Sequence, residues 1–73
     1  MKKRLFAAAI ERYNPRTARW SAGVEYVMAP DLANARAQFA LAATADHHIR
    51  IVGVAPAVGV WGEERDGKVV TFT

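Results

Sequence analysis

Hydropathy along the chain changes period twice, from two to near 3.6 and back, and this outlines a fold. Residues 20–28, WSAGVEYVM, alternate strictly: Trp20, Ala22, Val24, Tyr26 and Met28 fall on one side, Ser21, Gly23, Glu25 and Val27 on the other. That is the pattern of a half-buried strand, with the aromatic side expected to face the core. Residues 4–13 also read as a strand, with Phe6, Ala8 and Ile10 on one face and Leu5, Ala7, Ala9 and Glu11 on the other. Between the two, Asn14-Pro15-Arg16-Thr17-Ala18-Arg19 carries turn chemistry, since Pro15 presets φ and the Asn14 side chain can fold onto the backbone. The two strands are predicted to form an antiparallel hairpin with a basic tip.

Pro30 stops the second strand because it cannot donate to a ladder, and Asp31 suits the cap of a following helix. Leu32, Ala35, Phe39 and Ala42 then recur at helical spacing, which predicts a helix over 32–43 with Asn34, Arg36 and Gln38 turned to water. After a polar break at 44–48, residues 49–55 resume strand character. The segment 52–60, VGVAPAVGV, is a palindrome, which has no structural meaning by itself. Its Pro56 predicts two short strands meeting at a bend, with Trp61 near an edge. Asp66-Gly67 is a hairpin turn signal that should pair 58–63 with 68–72. The order β-β-α-β-β-β describes an α+β fold, a small antiparallel sheet with one helix packed on it, as a single domain over residues 1–73.

Composition narrows the energetics. The chain has 73 residues and is 52% apolar, yet fifteen of its residues are Ala, which bury little area each. The expected core is Leu5, Phe6, Ile10, Trp20, Val24, Tyr26, Leu32, Phe39, Ile49, Ile51 and Val69. At roughly 25 cal/mol per Å² it leaves only a few kcal/mol of net stability. Without cysteine, no disulfide or thiolate metal site can add to it. Dimerisation or docking on a partner would, and a monomer or weak homodimer is expected. Lys2, Lys3 and Arg4 precede the apolar run 5–10 as in a secretion signal, but the run is short and Glu11 and Arg12 end it. The apolar stretch 49–61 is interrupted by Arg50, Gly53, Pro56 and Gly59 and falls short of the roughly 20 residues a bilayer needs. A soluble, cytoplasmic protein with no membrane partner is the expectation.

Few residues offer chemistry. Asp46-His47-His48 contains both histidines, but neighbours on a strand point to opposite faces and further ligands are lacking, so no metal is expected. Ser21 is the only serine, and no local pattern links it to a histidine and a carboxylate. Glu63, Glu64 and Asp66 read as a solvated loop beside a turn, with the core too thin to form a shaped cleft. Gly53 and Gly59 lack the rest of a dinucleotide fingerprint. The chain is expected to be non-enzymatic, with no cofactor.

Charge points to a binding role. Six of the ten basic residues (Lys2, Lys3, Arg4, Arg12, Arg16 and Arg19) precede residue 20, opposed there by Glu11 alone, while the rest of the chain is slightly acidic. Arg12, Arg16 and Arg19, with Lys3 and Arg4, are therefore the candidate contacts to an acidic surface, and Trp61 is a candidate protein-interface anchor. Nucleic acid bound through phosphate contacts is the alternative. With Trp20 and Tyr26 assigned to the core, only Tyr13 and Trp61 remain as outlying stacking candidates, and no aromatic motif of RNA-recognition sheets is present, which favours a protein partner.

The layout LFAAAIERYNPRTARW, then VEYVMAPDLANARAQFA, then HIRIVGVAPAVGVW resembles, over the whole chain, the small transcription regulators of lytic Xanthomonas phages that bind host RNA polymerase. The resemblance implies docking on the polymerase large subunits, inhibition of σ-dependent initiation and promotion of antitermination, in the host bacterial cytoplasm. No motif matches position by position, so it assigns no site residues.

Overall fold

The two alternating segments pair along their whole length. In the computed structural model, which describes residues 2–73, β1 (Arg4–Asn14) and β2 (Arg19–Ala29) form an antiparallel hairpin in register from Arg4 opposite Ala29 to Asn14 opposite Arg19. The turn is built as its residues require. Asn14 Oδ1 accepts from the Arg16 N–H at 2.9 Å, the Thr17 N–H donates to the Asn14 carbonyl at 3.2 Å, and Ala18 closes the turn at φ 54°.

Helix α1 (Leu32–Ala45) follows, two residues longer than its spacing predicts. Asp31 caps it, with Oδ1 accepting from the Asn34 N–H at 2.8 Å. The His48 N–H then donates to Asp46 Oδ1 at 2.9 Å, turning the chain into β3 (Ile49–Pro56). β3 pairs antiparallel with β1, giving the strand order β2-β1-β3. Ile51 faces Ile10 and Gly53 faces Ala9, so Val52 is an unpaired β-bulge residue. The bulge resets the alternation and lets Val54 join Ile49 and Ile51 on the core side.

As its content suggested, the chain bends near Pro56 between two short strands, β3 running one residue further than expected. Pro56 is the last residue of this edge strand, where a missing N–H costs no ladder bond. Residues 57–60 make the bend, and β4 (Trp61–Arg65) pairs with β5 (Lys68–Phe72) from Trp61 opposite Phe72, three residues later than predicted. Asp66 (φ 51°) and Gly67 (φ 75°) both adopt the left-handed conformation that a two-residue hairpin turn demands. The fold is thus α+β, with one helix and five strands in two antiparallel sheets.

The helix packs on the face of the three-stranded sheet that carries Phe6, Ala8 and Ile10. Phe6, Ala29 and Ala35 form one buried cluster and Ala8, Ile10 and Phe39 a second, with Val27 and Val54 packed against both. This corrects the assignment of β2. Residues directly opposite in an antiparallel pair share a face, and the register sets Val27 against Phe6, Glu25 against Ala8 and Gly23 against Ile10. Once β1 gives its Phe6/Ile10 face to the helix, Val27 and Ala29 must follow. Trp20, Ala22, Val24, Tyr26 and Met28 go to the opposite side, where Trp20 is 40% and Val24 57% exposed.

The β4–β5 hairpin lies over one end of that opposite side and buries Leu5. Gly62 makes the close approach possible: a Cβ there would lie 2.6 Å from Leu5 Cδ1. Beyond this end, towards the β1–β2 turn, the sheet face is open.

Candidate functional site

The open face has a floor of small residues and an aromatic end. By register, Ala7, Ala9, Ala22, Val24, Gly53 and Ala55 share this side of the three strands. At the turn end, Tyr13 and Trp20 sit opposite each other, with ring centroids 5.2 Å apart and planes tilted by 52°. The Arg50 guanidinium lies over the Trp20 ring at 4.1 Å from its centroid, while Arg50 Nε donates to Glu11 Oε1 at 2.7 Å. His48 stacks near Tyr13 at 5.9 Å, and His47 packs 5.0 Å from His48. The result is an apolar trough ending in an aromatic cluster whose cation is already matched by a carboxylate.

The residues singled out from the sequence do not form one site. Ten strand steps of about 3.3 Å separate Arg4 from Asn14, so Lys3 and Arg4 stand roughly 33 Å from the turn. Lys3 Nζ pairs with Glu64 Oε1 at 3.0 Å, and Arg4 lies over the Phe6 ring at 5.9 Å from its centroid. Trp61, 68% exposed, is at this end too, beside a cleft of about 320 Å³ that Lys3, Arg4 and Met28 also line. Arg12 lies on the helix side of β1 and pairs with Glu25, which neutralises much of its field. Arg16 and Arg19 are at the turn and have no ion pair among the described residues. Arg19 leaves β2 on the side opposite to Trp20.

Sequence reasoning thus found Arg16 at the open face and singled out Tyr13 as an outlying aromatic, but missed Trp20 and Arg50 beside it. Alternation shows which residues share a side. It does not show which side is covered.

A second cleft, of about 410 Å³, lies between the C-terminal half of α1 and the sheet, lined by Ile10, Glu25, Val27, Phe39 and Ile51 among others. The core therefore does leave room for a cleft, contrary to expectation. Its lone carboxylate, Glu25, is held by Arg12, so the cleft lacks the pair of carboxyl groups that acid–base hydrolysis uses. Among the described residues, no group of three or more His, Asp or Glu is placed to hold a metal ion. No helix among them is long and apolar enough to cross a membrane. No family model, curated protein or solved structure matches this chain.

Proposed function

We propose that this protein is a non-enzymatic binding module that docks a protein partner on its open sheet face, with Trp20 as the central anchor. The observation that carries this reading is the character of the face. An apolar floor of Ala and Val is flanked by an exposed Trp, a Tyr and an Arg, the residue types that concentrate binding energy at protein interfaces. Arg16, at the turn that ends the face, favours a partner whose surface is acidic beside an apolar centre. Taken with the resemblance to phage transcription regulators, the proposed partner is bacterial RNA polymerase, through its large subunits. Occupying that surface would then interfere with σ-dependent initiation or promote antitermination. Competition needs little energy, since about 1.4 kcal/mol shifts a binding balance tenfold.

The test is capture by tagged protein from nuclease-treated bacterial lysate, followed by σ-dependent run-off transcription with purified polymerase. Retention of the large subunits, lost on Trp20→Ala with Arg16→Glu, supports the reading. Absence of polymerase from the eluate removes the named partner, and equal capture by the double variant removes the open face.

One observation favours a second reading, single-stranded nucleic acid. Tyr13, Trp20 and His48 on an open sheet beside Arg50 and Arg16 supply stacking groups and cations together, the combination lacking if Trp20 lies in the core. It ranks second because the floor between the aromatic end and the β4–β5 hairpin carries no cation to track a phosphate backbone. Quenching of Trp fluorescence by an oligonucleotide, with a log–log salt slope of about −1.4 for two phosphate contacts, would establish it. No binding at low salt would end it.

A further inference from the structure

The three-stranded sheet has two free edges, and only one is guarded. On β3 the bulge at Val52 and the terminal Pro56 disrupt the outward ladder, both common protections against strand pairing. β2 is eleven residues long and has neither. The direction of its free groups follows from β1. The Tyr13 N–H donates to the His48 carbonyl and the Leu5 carbonyl accepts from the Ala57 N–H, so odd residues of β1 point to β3 and even ones to β2. In β2 the odd residues, paired with even residues of β1, then point inwards. Trp20, Ala22, Val24, Tyr26 and Met28 present their N–H and C=O outwards. An independent contact agrees: Gln38 Nε2 donates to the Met28 carbonyl at 3.2 Å. The helix caps that end of the edge and leaves residues 20–26 open.

We infer that this stretch pairs with the same stretch of a second copy, antiparallel and centred on Ala22. A two-fold ladder requires even residues to face even ones, which leaves few registers. Centred on Ala22, Trp20 faces Val24 of the other copy on the open side, covering two exposed apolar side chains. On the helix side, Arg19 faces Glu25 of the other copy, twice by symmetry, and joins Arg12 in sharing the carboxylate that Arg12 already pairs with inside its own chain. Centred on Gly23, Arg19 faces Val27 and Glu25 faces Ser21, with no charge matched. Centred on Val24, the ladder extends to Met28, whose carbonyl Gln38 already uses. Charge complementarity and the Gln38 cap therefore select one register. The ladder is short, about six main-chain hydrogen bonds, so association is concentration-dependent. The dimer is a six-stranded sheet whose two open faces are continuous. It uses the edge of β2 and does not rest on the proposed partner of the face.

The experiment is sedimentation equilibrium up to about 1 mM protein, with folding of each variant checked by circular dichroism. Wild type should dimerise. Arg19→Glu and Glu25→Arg each place like charges across both symmetric positions and should weaken dimerisation roughly tenfold or more. Mixing the two single variants re-forms both opposite-charge pairs and should yield a heterodimer. Ala22→Pro removes an outward donor without touching the β1–β2 ladder and should give a folded monomer. A wild-type monomer at the highest concentration overturns the inference, as does a dimer insensitive to the charge variants or a mixture that fails to associate. A monomer whose β2 edge accepts a strand of another protein overturns the second-copy assignment as well.

Discussion

The orientation of β2 can be tested with two isosteric substitutions three residues apart. Val24 and Val27 lie on opposite faces of the same strand, and Thr keeps the β-branched shape and strand preference of Val. Val27 is half-buried and packs against both core clusters, so Val27→Thr sets a hydroxyl among Phe6, Ala29 and Phe39 with no partner provided for it. Burying such a group costs about 1–3 kcal/mol in proteins, and partial exposure places the expectation near 1–2 kcal/mol. Val24 is 57% exposed on the open face, where the hydroxyl stays in water and the change should remain within about 0.5 kcal/mol. For a domain of this size, 1 kcal/mol is roughly 4–8 °C in Tm. Thermal and urea unfolding, followed by far-ultraviolet circular dichroism, should place Val27→Thr at least that far below Val24→Thr. Equal losses, or a larger loss at Val24, would mean that the aromatic side of β2 is the core side after all and would refute the orientation on which the binding surface depends.

Three further outcomes are expected. Gly62→Ala drives a methyl into buried Leu5, with three Leu5 atoms inside 3.4 Å of the new Cβ, and should cost about 1–3 kcal/mol in urea unfolding. Ala18→Gly relieves a left-handed backbone at φ 54° in the β1–β2 turn and should raise the unfolding free energy from urea titration by about 0.5–1 kcal/mol, a gain that a strained Ala predicts and a relaxed one does not. Phe39→Ala empties the main helix anchor at a typical cost of about 3–5 kcal/mol, so the variant should be largely unfolded at 25 °C by circular dichroism.

Asp31, Pro30 and the Leu32/Ala35/Phe39 spacing specify α1 because a cap, a breaker and a 3.6 period are all local signals. The turns are local too: Asn14 with Pro15, and Asp66 with Gly67, carry their own conformational instructions. The strand order in sequence, the α+β class and the early concentration of positive charge were therefore legible without coordinates. The extent of β3 was legible to within one residue, while β4 starts three residues later than its turn signal alone suggested, because residues 57–60 are used for the bend.

The candidate site was mostly illegible, for a different physical reason. A strand offers two faces of period two, and β2 has apolar residues on both: Trp20, Val24 and Tyr26 on one, Val27 and Ala29 on the other. Hydrophobicity alone gave the larger set to the core. The choice was made in β1, whose Phe6 and Ile10 take the helix, and register then carried Val27 and Ala29 with them. Arg50 reaches Trp20 from a strand thirty residues away in sequence, and Arg12 is drawn off by Glu25, contacts that no local pattern encodes. The sequence by itself determined which elements exist and that one end of the chain is basic, because propensities, turns and charge are properties of neighbours. Only the tertiary structure decided which sheet face is left open and which edge is left unpaired, because both depend on long-range packing and register.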